Sequence, residues 1–347
     1  MYKFIVPVML LFFISCCQKE EPVVLPKGKG VYIMNEGNFN FSNGEISFYN
    51  PDTKEVSDNL FQASNGFSLG DVVQSMPVKD SIGFIVVNNS HKIEVVRIPS
   101  LQKIRTIDIA GSSPRYFLPV NDSLALVTEL YAPKIWVINY LTGLVVRTIT
   151  TTGWTENMVM IDNSVYVQQK KVFGMGSTSA ALLQVNLNTF SVQHAVSFNG
   201  RDVNGIVRDK FNRIWVAVDE DSAQSLPAGF YCFDRNLMEQ KSFFYSHYNH
   251  HPSRLCADSK KEQLYFADQD IFRFSINDNA LPVSAFIAAS GKNIYSLDIH
   301  PATDEVYFSD AIDFVQRSMI YRYDKQGLFI HSFHAGVISG NFSFVYE

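Results

Sequence analysis

The segment Asp80–Ile93 reads D-S-I-G-F-I-V-V-N-N-S-H-K-I, and its plan returns in Asp122–Ile135, which reads D-S-L-A-L-V-T-E-L-Y-A-P-K-I. Asp, Ser, Lys and Ile coincide in the two copies at an offset of 42 residues. Each copy consists of a short apolar run, a polar loop and the start of a second apolar run. Branched and aromatic runs around a turn are typical of a β-hairpin. A hairpin that repeats at this distance indicates a radially repeated β fold.

One apolar core position can be followed through the chain. Val, Ile, Ala or Phe flank it, and successive copies lie 52, 42, 40, 49, 50 and 42 residues apart. The copies are Tyr32, Phe84, Leu126, Tyr166, Trp215, Tyr265 and Tyr307. A four-stranded blade needs about 40–45 residues, and the longer steps leave room for loop insertions. The spacing therefore predicts an all-β fold, a seven-bladed β-propeller.

The two ends of the repeat complete each other. Val31–Met34 has the pattern of the second strand of a blade, but no first strand precedes it. Gly340–Tyr346 has a strand pattern without a hairpin partner after it. We therefore expect Phe342–Tyr346 to become the innermost strand of the first blade, which closes the ring and removes the open sheet edges. Residues 30–347 are thus predicted to form one propeller domain.

The first residues have the pattern of a lipoprotein leader. A lysine precedes the apolar run Phe4–Ile14, which is shorter than the ~20 residues that a transmembrane helix needs. Phe13-Ile14-Ser15-Cys16 resembles the lipobox of bacterial lipoproteins, where the cysteine sulfur is lipidated and becomes the mature N-terminus. We expect a lipoprotein signal peptide over residues 1–16 and lipidation of Cys16, with Cys17 as the alternative.

Residues 17–29 are charged, contain two prolines and show no periodicity, which is typical of a flexible tether. Gln18-Lys19-Glu20-Glu21 resembles the Lys-acid-acid signal that sends some Gram-negative lipoproteins to the cell surface. Attachment through two or three acyl chains would be effectively permanent. The prediction is a lipid-anchored outer-membrane protein exposed at the cell surface, and a signal peptide without a lipid is the alternative.

Charge and motifs argue against several classes of function. A formal net charge of −5 offers no basic surface for nucleic acid. The sequence contains no Gly-x-x-x-x-Gly-Lys-Ser/Thr loop, no His-Glu-x-x-His and no Cys-x-x-Cys. We therefore predict neither an enzyme nor a bound cofactor.

Potential metal ligands and cysteines are scattered. The histidines of one loop are interpreted as surface residues, and two acidic pairs lack the spacing of a known calcium loop, so no metal site is predicted. These residues are His247, His250 and His251, and the pairs Asp268/Asp270 and Asp310/Asp313. Cys232 and Cys256 fall in different blades, which favours two buried thiols over a disulfide.

Two sets of loops should share one mouth of the ring: those that lead into the inner strands and those inside the repeated hairpins. They combine aromatic rings with amide and guanidinium donors, a mixture that suits a polar ligand with flat apolar parts. The predicted ligand-binding residues are Asn88, Arg115, Tyr116, Tyr131, Trp154, Asn157, Arg254 and Tyr295. For any single one of them, a solvated turn or packing between blades is the alternative.

Six motifs resemble surface-lipoprotein propellers of the YncE-like, surface-layer type. They are Asn35-Glu36-Gly37-Asn38, Leu69-Gly70-Asp71-Val72, Val86-Val87-Asn88-Asn89-Ser90, Ser113-Pro114-Arg115-Tyr116, Asp310-Ala311-Ile312-Asp313 and Ala335-Gly336-Val337-Ile338-Ser339-Gly340. The resemblance covers about residues 30–347. Some such proteins of Gram-negative gut bacteria capture vitamin B12 and pass it to a TonB-dependent outer-membrane transporter. The resemblance therefore implies a corrinoid ligand and such a transporter as partner, but it identifies no individual ligand contact.

Three functions compete. The first is capture of a small-molecule ligand, with a corrinoid as the best candidate. The second is a protein-binding scaffold, because propeller faces suit that role. The third is a calcium-dependent, lactonase-like propeller enzyme, which would need a central calcium with convergent Asp, Glu and Asn ligands. The sequence distributes its acids over outer loops, which disfavours the enzyme.

Overall fold

The computed structural model describes residues 29–172 and 179–346, which form seven β-sheets around a central channel. The predicted seven-bladed β-propeller is thus confirmed. The leader with Cys16 and Cys17 and the tether up to residue 28 lie outside the described residues. Within the described ranges, no helix is long and apolar enough to cross a membrane.

The strands follow one another in the order that the repeat predicts. The first two blades contain β1 (Gly30–Asn35), β2 (Glu45–Tyr49), β3 (Val56–Ser57), a helix α1 (Leu60–Asn65), β4 (Val73–Ser75), β5 (Val78–Lys79), β6 (Ile82–Val87), β7 (Lys92–Arg97) and β8 (Gln102–Asp108). Blades 3 and 4 contain β9 (Pro114–Pro119), β10 (Leu124–Glu129), β11 (Lys134–Asn139), β12 (Leu144–Thr150), β13 (Thr155–Ile161), β14 (Ser164–Gln169), β15 (Ala181–Asn186) and β16 (Ser191–Ser197).

The remaining blades continue the same plan. Blade 5 contains β17 (Val203–Arg208), β18 (Ile214–Val218), a 3-10 turn (Ser222–Gln224), β19 (Gly229–Phe233) and β20 (Glu239–Phe244). Blades 6 and 7 contain β21 (Ser253–Ala257), β22 (Gln263–Asp268), β23 (Asp270–Ser275), β24 (Ile294–Ile299), β25 (Val306–Asp310), β26 (Arg317–Tyr323) and β27 (Phe329–Val337), and the closing strand is β28 (Ser339–Val345).

The last strand closes the ring on the first blade. In that sheet the order is β28-β1-β2-β3, so the C-terminal strand is innermost. β28 runs antiparallel to β1, with Val31 opposite Phe344 and Ile33 opposite Phe342. The closure that the sequence predicts is therefore present, and β1 is paired on both sides.

The repeated core position lies buried between neighbouring blades. All seven of its side chains are at most 2% exposed. Phe84 of blade 2 stacks on Phe117 of blade 3, with ring centroids 4.3 Å apart. The hydroxyl of Tyr32 in blade 1 donates to the carbonyl of Pro99 in blade 2 over 2.7 Å. Burial of one such large side chain contributes about 2–3 kcal/mol, so this position joins the blades as well as filling them.

Two features depart from the regular repeat. The helix α1 was not predicted, because six residues are too few to establish a helical period. Its Leu60 and Phe61 are buried in the core shared by the first two blades. In blade 6, three strands pair, and an isolated bridge between Ile271 and Ile287 follows the third. Cys232 and Cys256 are both free thiols, as predicted, but only Cys232 is fully buried and Cys256 is half-buried.

Candidate functional site

Each inner strand contains a β-bulge near its beginning. At that point the register against the second strand of the blade shifts by one residue. A bulge redirects side chains relative to a regular strand, and repetition in every blade places the redirected residues in a circle at one level of the channel. We call this set the bulge ring; it consists of Gln74, Arg115, Glu156, Asn204, Arg254, Tyr295 and Gly340.

Three consecutive members of the bulge ring form one polar cluster. The Nε of Arg115 donates to both carboxylate oxygens of Glu156, over 2.9 and 3.1 Å. An Nη of Arg115 also donates to the side-chain oxygen of Gln74. Burial alone would lower the pKa of Arg115, but the adjacent Glu156 carboxylate keeps that pKa above its ordinary value. Side chains from blades 2, 3 and 4 therefore meet over the channel as a fixed, charge-balanced group.

A second cluster forms where the ring closes. The hydroxyl of Tyr295 donates to a carboxylate oxygen of Glu36 over 3.1 Å. A Cβ at Gly340 would lie 2.5 Å from the other oxygen of Glu36, so a glycine in the closing strand leaves the space that this carboxylate occupies. Burial raises the pKa of Glu36, while the positive charges of Arg115 and Arg254 oppose that rise. The Glu36 carboxylate thus occupies the space that a side chain at position 340 would fill.

Arg254 differs from the other charged members of the ring. Its guanidinium lies over the ring of Tyr295, 5.0 Å from the centroid. Its backbone is in the left-handed region, with φ at 56°, which is costly for a residue with a side chain. Within residues 29–172 and 179–346, the Arg254 side chain has no ion pair and no hydrogen-bond partner. The N–H groups of the Arg254 guanidinium are therefore available to a ligand.

A cavity of about 450 Å³ lies in the channel beside the bulge ring. Inner strands of blades 2, 3, 4, 6 and 7 and the closing strand line it. Polar and reactive groups in its wall include Ser75, Tyr116, Asn157, Arg254, Cys256 and Asp298. Burial raises the pKa of Asp298 to about 7, against one opposing hydrogen bond from the amide of Ile299. Burial also raises the pKa of the Cys256 thiol well above its ordinary value, so this thiol is not a ready nucleophile.

The structure brings most of the predicted ligand-binding residues to this region. Arg115, Arg254 and Tyr295 belong to the bulge ring, and Tyr116 and Asn157 line the cavity. These five come from blades 3, 4, 6 and 7, and they lie within the inner strands rather than in the loops before them. Their role in ligand binding stays a prediction.

The other three predicted residues lie outside the cavity wall. Tyr131 and Trp154 pack edge to face with centroids 5.2 Å apart, and Tyr131 is 64% exposed on its loop. Asn88 is buried, and its amide donates to the carbonyl of Pro114 over 2.9 Å. Asn88 therefore holds the loop that leads into β9 and does not line the cavity.

Several residues of the site were missed by the sequence reasoning. Gln74, Glu156, Asn204 and Asp298 were not predicted as ligand-binding residues. A signal for the bulge ring does exist, because its first six members lie 10–12 residues before the repeated core position of their blade. Asp298 carries no such signal, since a single acid in an inner strand does not by itself indicate a cavity.

The acidic and histidine-rich loops hold internal hydrogen bonds. His250 and His251 each contact a carboxylate, Asp268 and Asp219 respectively, over 2.7 Å. Asp313 accepts hydrogen bonds from the amides of Val315 and Gln316. In the described part of the chain, no group of three or more His, Cys, Asp or Glu residues is arranged to hold a metal ion.

A comparison with protein-family models identifies the family of this chain. Residues 29–335 match DUF5074, a domain of unknown function. The chain belongs to the DUF5074 family. No curated protein matches it. The more specific resemblance to YncE-like and B12-capturing propellers stays a prediction.

Solved structures share the fold of this DUF5074 protein. A quinonprotein alcohol dehydrogenase-like protein from Bacteroides thetaiotaomicron is 14% identical, with a TM-score of 0.70 over 91% of this chain and 78% of that one. The hydrazine synthase of Kuenenia stuttgartiensis is 12% identical, with a TM-score of 0.62 over 77% and 86%. A functionally unknown protein from Desulfotomaculum acetoxidans is 11% identical, with a TM-score of 0.57 over 75% and 84%. At such low identity these similarities show the fold alone.

Proposed function

We propose that this DUF5074 propeller is a non-enzymatic capture protein that binds a small molecule at the bulge ring and its cavity. One observation carries the proposal: charged and hydrogen-bonding side chains from separate blades converge on a cavity of about 450 Å³. This size falls within the range of ligand pockets, roughly 300–1,000 Å³.

The contacts within the ring support tight binding. Arg115, Glu156 and Gln74 are held by one another, and Tyr295 is held by Glu36. Side chains that are already ordered lose little entropy when a ligand arrives. The exposed ring of Tyr131 beside Trp154 adds a flat apolar surface at the mouth. These features suit a ligand with a flat face and polar edges.

A corrinoid has this shape, because it is a broad ring edged with amides. It would lie across the mouth and direct part of its polar edge to the bulge ring. The leader and the resemblance to surface lipoproteins support a setting on the outer membrane, from which the ligand would pass to a TonB-dependent transporter. The corrinoid ligand, the lipid anchor and the TonB-dependent transporter are all parts of this proposal.

Titration of cobalamin into the purified protein tests this function. We expect binding by the wild type, and a loss of about 2 kcal/mol, roughly thirtyfold in affinity, in Arg115→Ala and in Trp154→Ala. Arg147→Ala and Phe211→Ala are matched controls: Arg147 lies on the outer strand of the same blade as Arg115, and Phe211 is an exposed aromatic residue on the loop between β17 and β18. Circular dichroism should verify that all four variants are folded.

The possible outcomes test the corrinoid ligand, small-molecule capture and the position of the site separately. If the wild type does not bind cobalamin, the corrinoid is wrong, and native mass spectrometry after incubation with a small-molecule extract becomes the test of capture. If nothing is retained from the extract, small-molecule capture itself is wrong. Tight cobalamin binding that both site variants retain would place the site elsewhere.

A protein partner is the second candidate. Loops of blades 1 and 7 carry exposed apolar side chains, namely Phe39, Phe41, Phe314 and Val315. The side-chain amide of Asn38 donates to the carbonyl of Phe314 over 2.7 Å and joins these two loops. Clustered exposed apolar residues favour protein contact. Retention of a protein by the wild type but not by Phe41→Ser would support this candidate.

A further inference from the structure

We propose that the captured ligand carries an oxyanion, a carboxylate or a phosphate, and that the guanidinium of Arg254 binds it. This inference rests on the proposed function and specifies its ligand class. The cavity wall contains Arg254, and the bulge ring around it contains the other charges against which its role can be judged.

The charged side chains of the site have hydrogen-bond partners, with one exception. Arg115 bonds Glu156 and Gln74, and Glu36 accepts the hydroxyl of Tyr295. Lys170, just outside the ring, pairs with Asp202 at 2.7 Å and donates to Asn204. Arg254 is near enough for its charge to lower the pKa of Glu36, but in the described part of the chain its guanidinium has neither an ion pair nor a hydrogen-bond partner. A guanidinium has five N–H donors, and leaving them unpaired in a partly buried site is costly unless a ligand supplies acceptors.

The guanidinium is also held in place. It lies over Tyr295, whose own hydroxyl is bonded to Glu36, so the stack has a fixed base. The left-handed backbone at Arg254 lies inside the bulge of β21, which maintains a conformation that arginine rarely adopts. A planar, oriented fork of donors matches the two oxygens of a carboxylate or a phosphate.

The remainder of the cavity limits the ligand to one such group. The wall carries the Asp298 carboxyl, and Glu36 and Glu156 lie at the ring. A second anionic group would meet these carboxyl groups without a free cation. We therefore expect a ligand with one anionic head at Arg254 and an uncharged body that forms hydrogen bonds with side chains such as Ser75, Tyr116 and Asn157.

The test uses small anions as probes of Arg254. Melting temperatures of the wild type are measured in sodium phosphate, sodium acetate and sodium chloride at equal ionic strength. A bound anion stabilises the folded state in proportion to its occupancy. We expect phosphate or acetate to raise the melting temperature relative to chloride, and the responding anion identifies which oxyanion the fork prefers.

Variants connect the effect to one side chain. In Arg254→Gln the affinity for the anion should fall about tenfold or more, because charge-assisted hydrogen bonds are lost. Arg254→Lys keeps the charge without the fork and should retain part of the affinity. Arg273→Gln is the matched control, since it removes one charge from the same blade but lies over Phe286, away from the cavity. Its response should equal that of the wild type.

Each contrary result has a distinct meaning. The inference is overturned if neither anion stabilises the wild type, if Arg254→Gln responds like the wild type, or if Arg273→Gln loses the response equally. Capture itself survives those results if extract-derived ligands still bind and Arg254→Gln retains them. If the wild type binds the anion but retains no ligand from the extract, the proposed function is contradicted instead.

Discussion

Asp298 shows how a single residue of the cavity responds to its surroundings. Burial raises the pKa of its carboxyl from the ordinary value of 3.8 to about 7. Its carboxyl accepts the amide of Ile299, and the Cys256 thiol lies on the neighbouring strand of the cavity wall. Between about pH 4 and about pH 7, the Asp298 carboxyl loses its proton in the unfolded chain and keeps it in the folded chain. Ionisation of Asp298 therefore destabilises the fold as the pH rises from about 4 to about 7.

Asp298→Asn should remove this pH dependence while retaining the acceptor for Ile299. We expect little difference from the wild type near about pH 4, and a stability gain for the variant of about 1–3 kcal/mol at about pH 8, reduced from the full shift because the cavity admits solvent. Denaturant unfolding at the two pH values measures it. Asp122→Asn is the control, because it changes a fully exposed carboxylate whose ion pair with Lys79 lies at the surface. A gain that is the same at both pH values would contradict the assigned shift.

At the scale of elements, the closing strand has the clearest consequence. β28 covers the inner side of β1, and Phe342 and Phe344 lie within 6.1 and 5.4 Å of the Tyr307 ring, measured between centroids. Removal of this strand would expose an apolar edge and uncouple blade 7 from blade 1.

Deletion of Gly340–Glu347 should therefore lower the melting temperature by several degrees or prevent folding, because the ring loses its closure. Differential scanning calorimetry is the measurement. Deletion of Tyr346–Glu347 alone is the matched control, since β28 ends at Val345. A longer deletion that melts like the wild type would mean that the closure contributes nothing to stability.

At the scale of the whole molecule, the question is where the propeller resides. The leader resembles that of a lipoprotein, and we propose that the lipid on Cys16 holds the ring at the outer membrane. Replacement of both Cys16 and Cys17 by Ser should release the protein into the soluble fraction, because no acyl chain remains to bind the bilayer. Fractionation and immunoblotting measure this. Cys16→Ser and Cys17→Ser alone identify the lipidated residue, and a double variant that stays with the membrane would refute the anchor.

Blade number and ring closure could be predicted from the sequence because both depend on local patterns. Tyr32 and Tyr307 occupy equivalent positions in runs of apolar residues, and such runs form strands through short-range preferences. The unpaired pattern at Phe342–Tyr346 needed only one partner to satisfy its backbone, and Val31–Met34 was the strand that lacked one. Arg115 and Tyr295 were expected in loops before the inner strands, but the structure places both near the start of those strands at a bulge, and their binding role stays a prediction.

Tertiary structure alone decided which of these side chains are free to bind. Arg115 and Glu156 are 41 residues apart and pair only because bulges in adjacent blades direct them to one point. Asn88 looked like a donor for a ligand, but the fold uses it to hold Pro114. Arg254 resembled Arg115 in the sequence, yet of the two only Arg254 lacks an ion pair and a hydrogen-bond partner among the described residues. Ion pairing and desolvation depend on distances across the ring, and periodicity along one chain does not encode those distances.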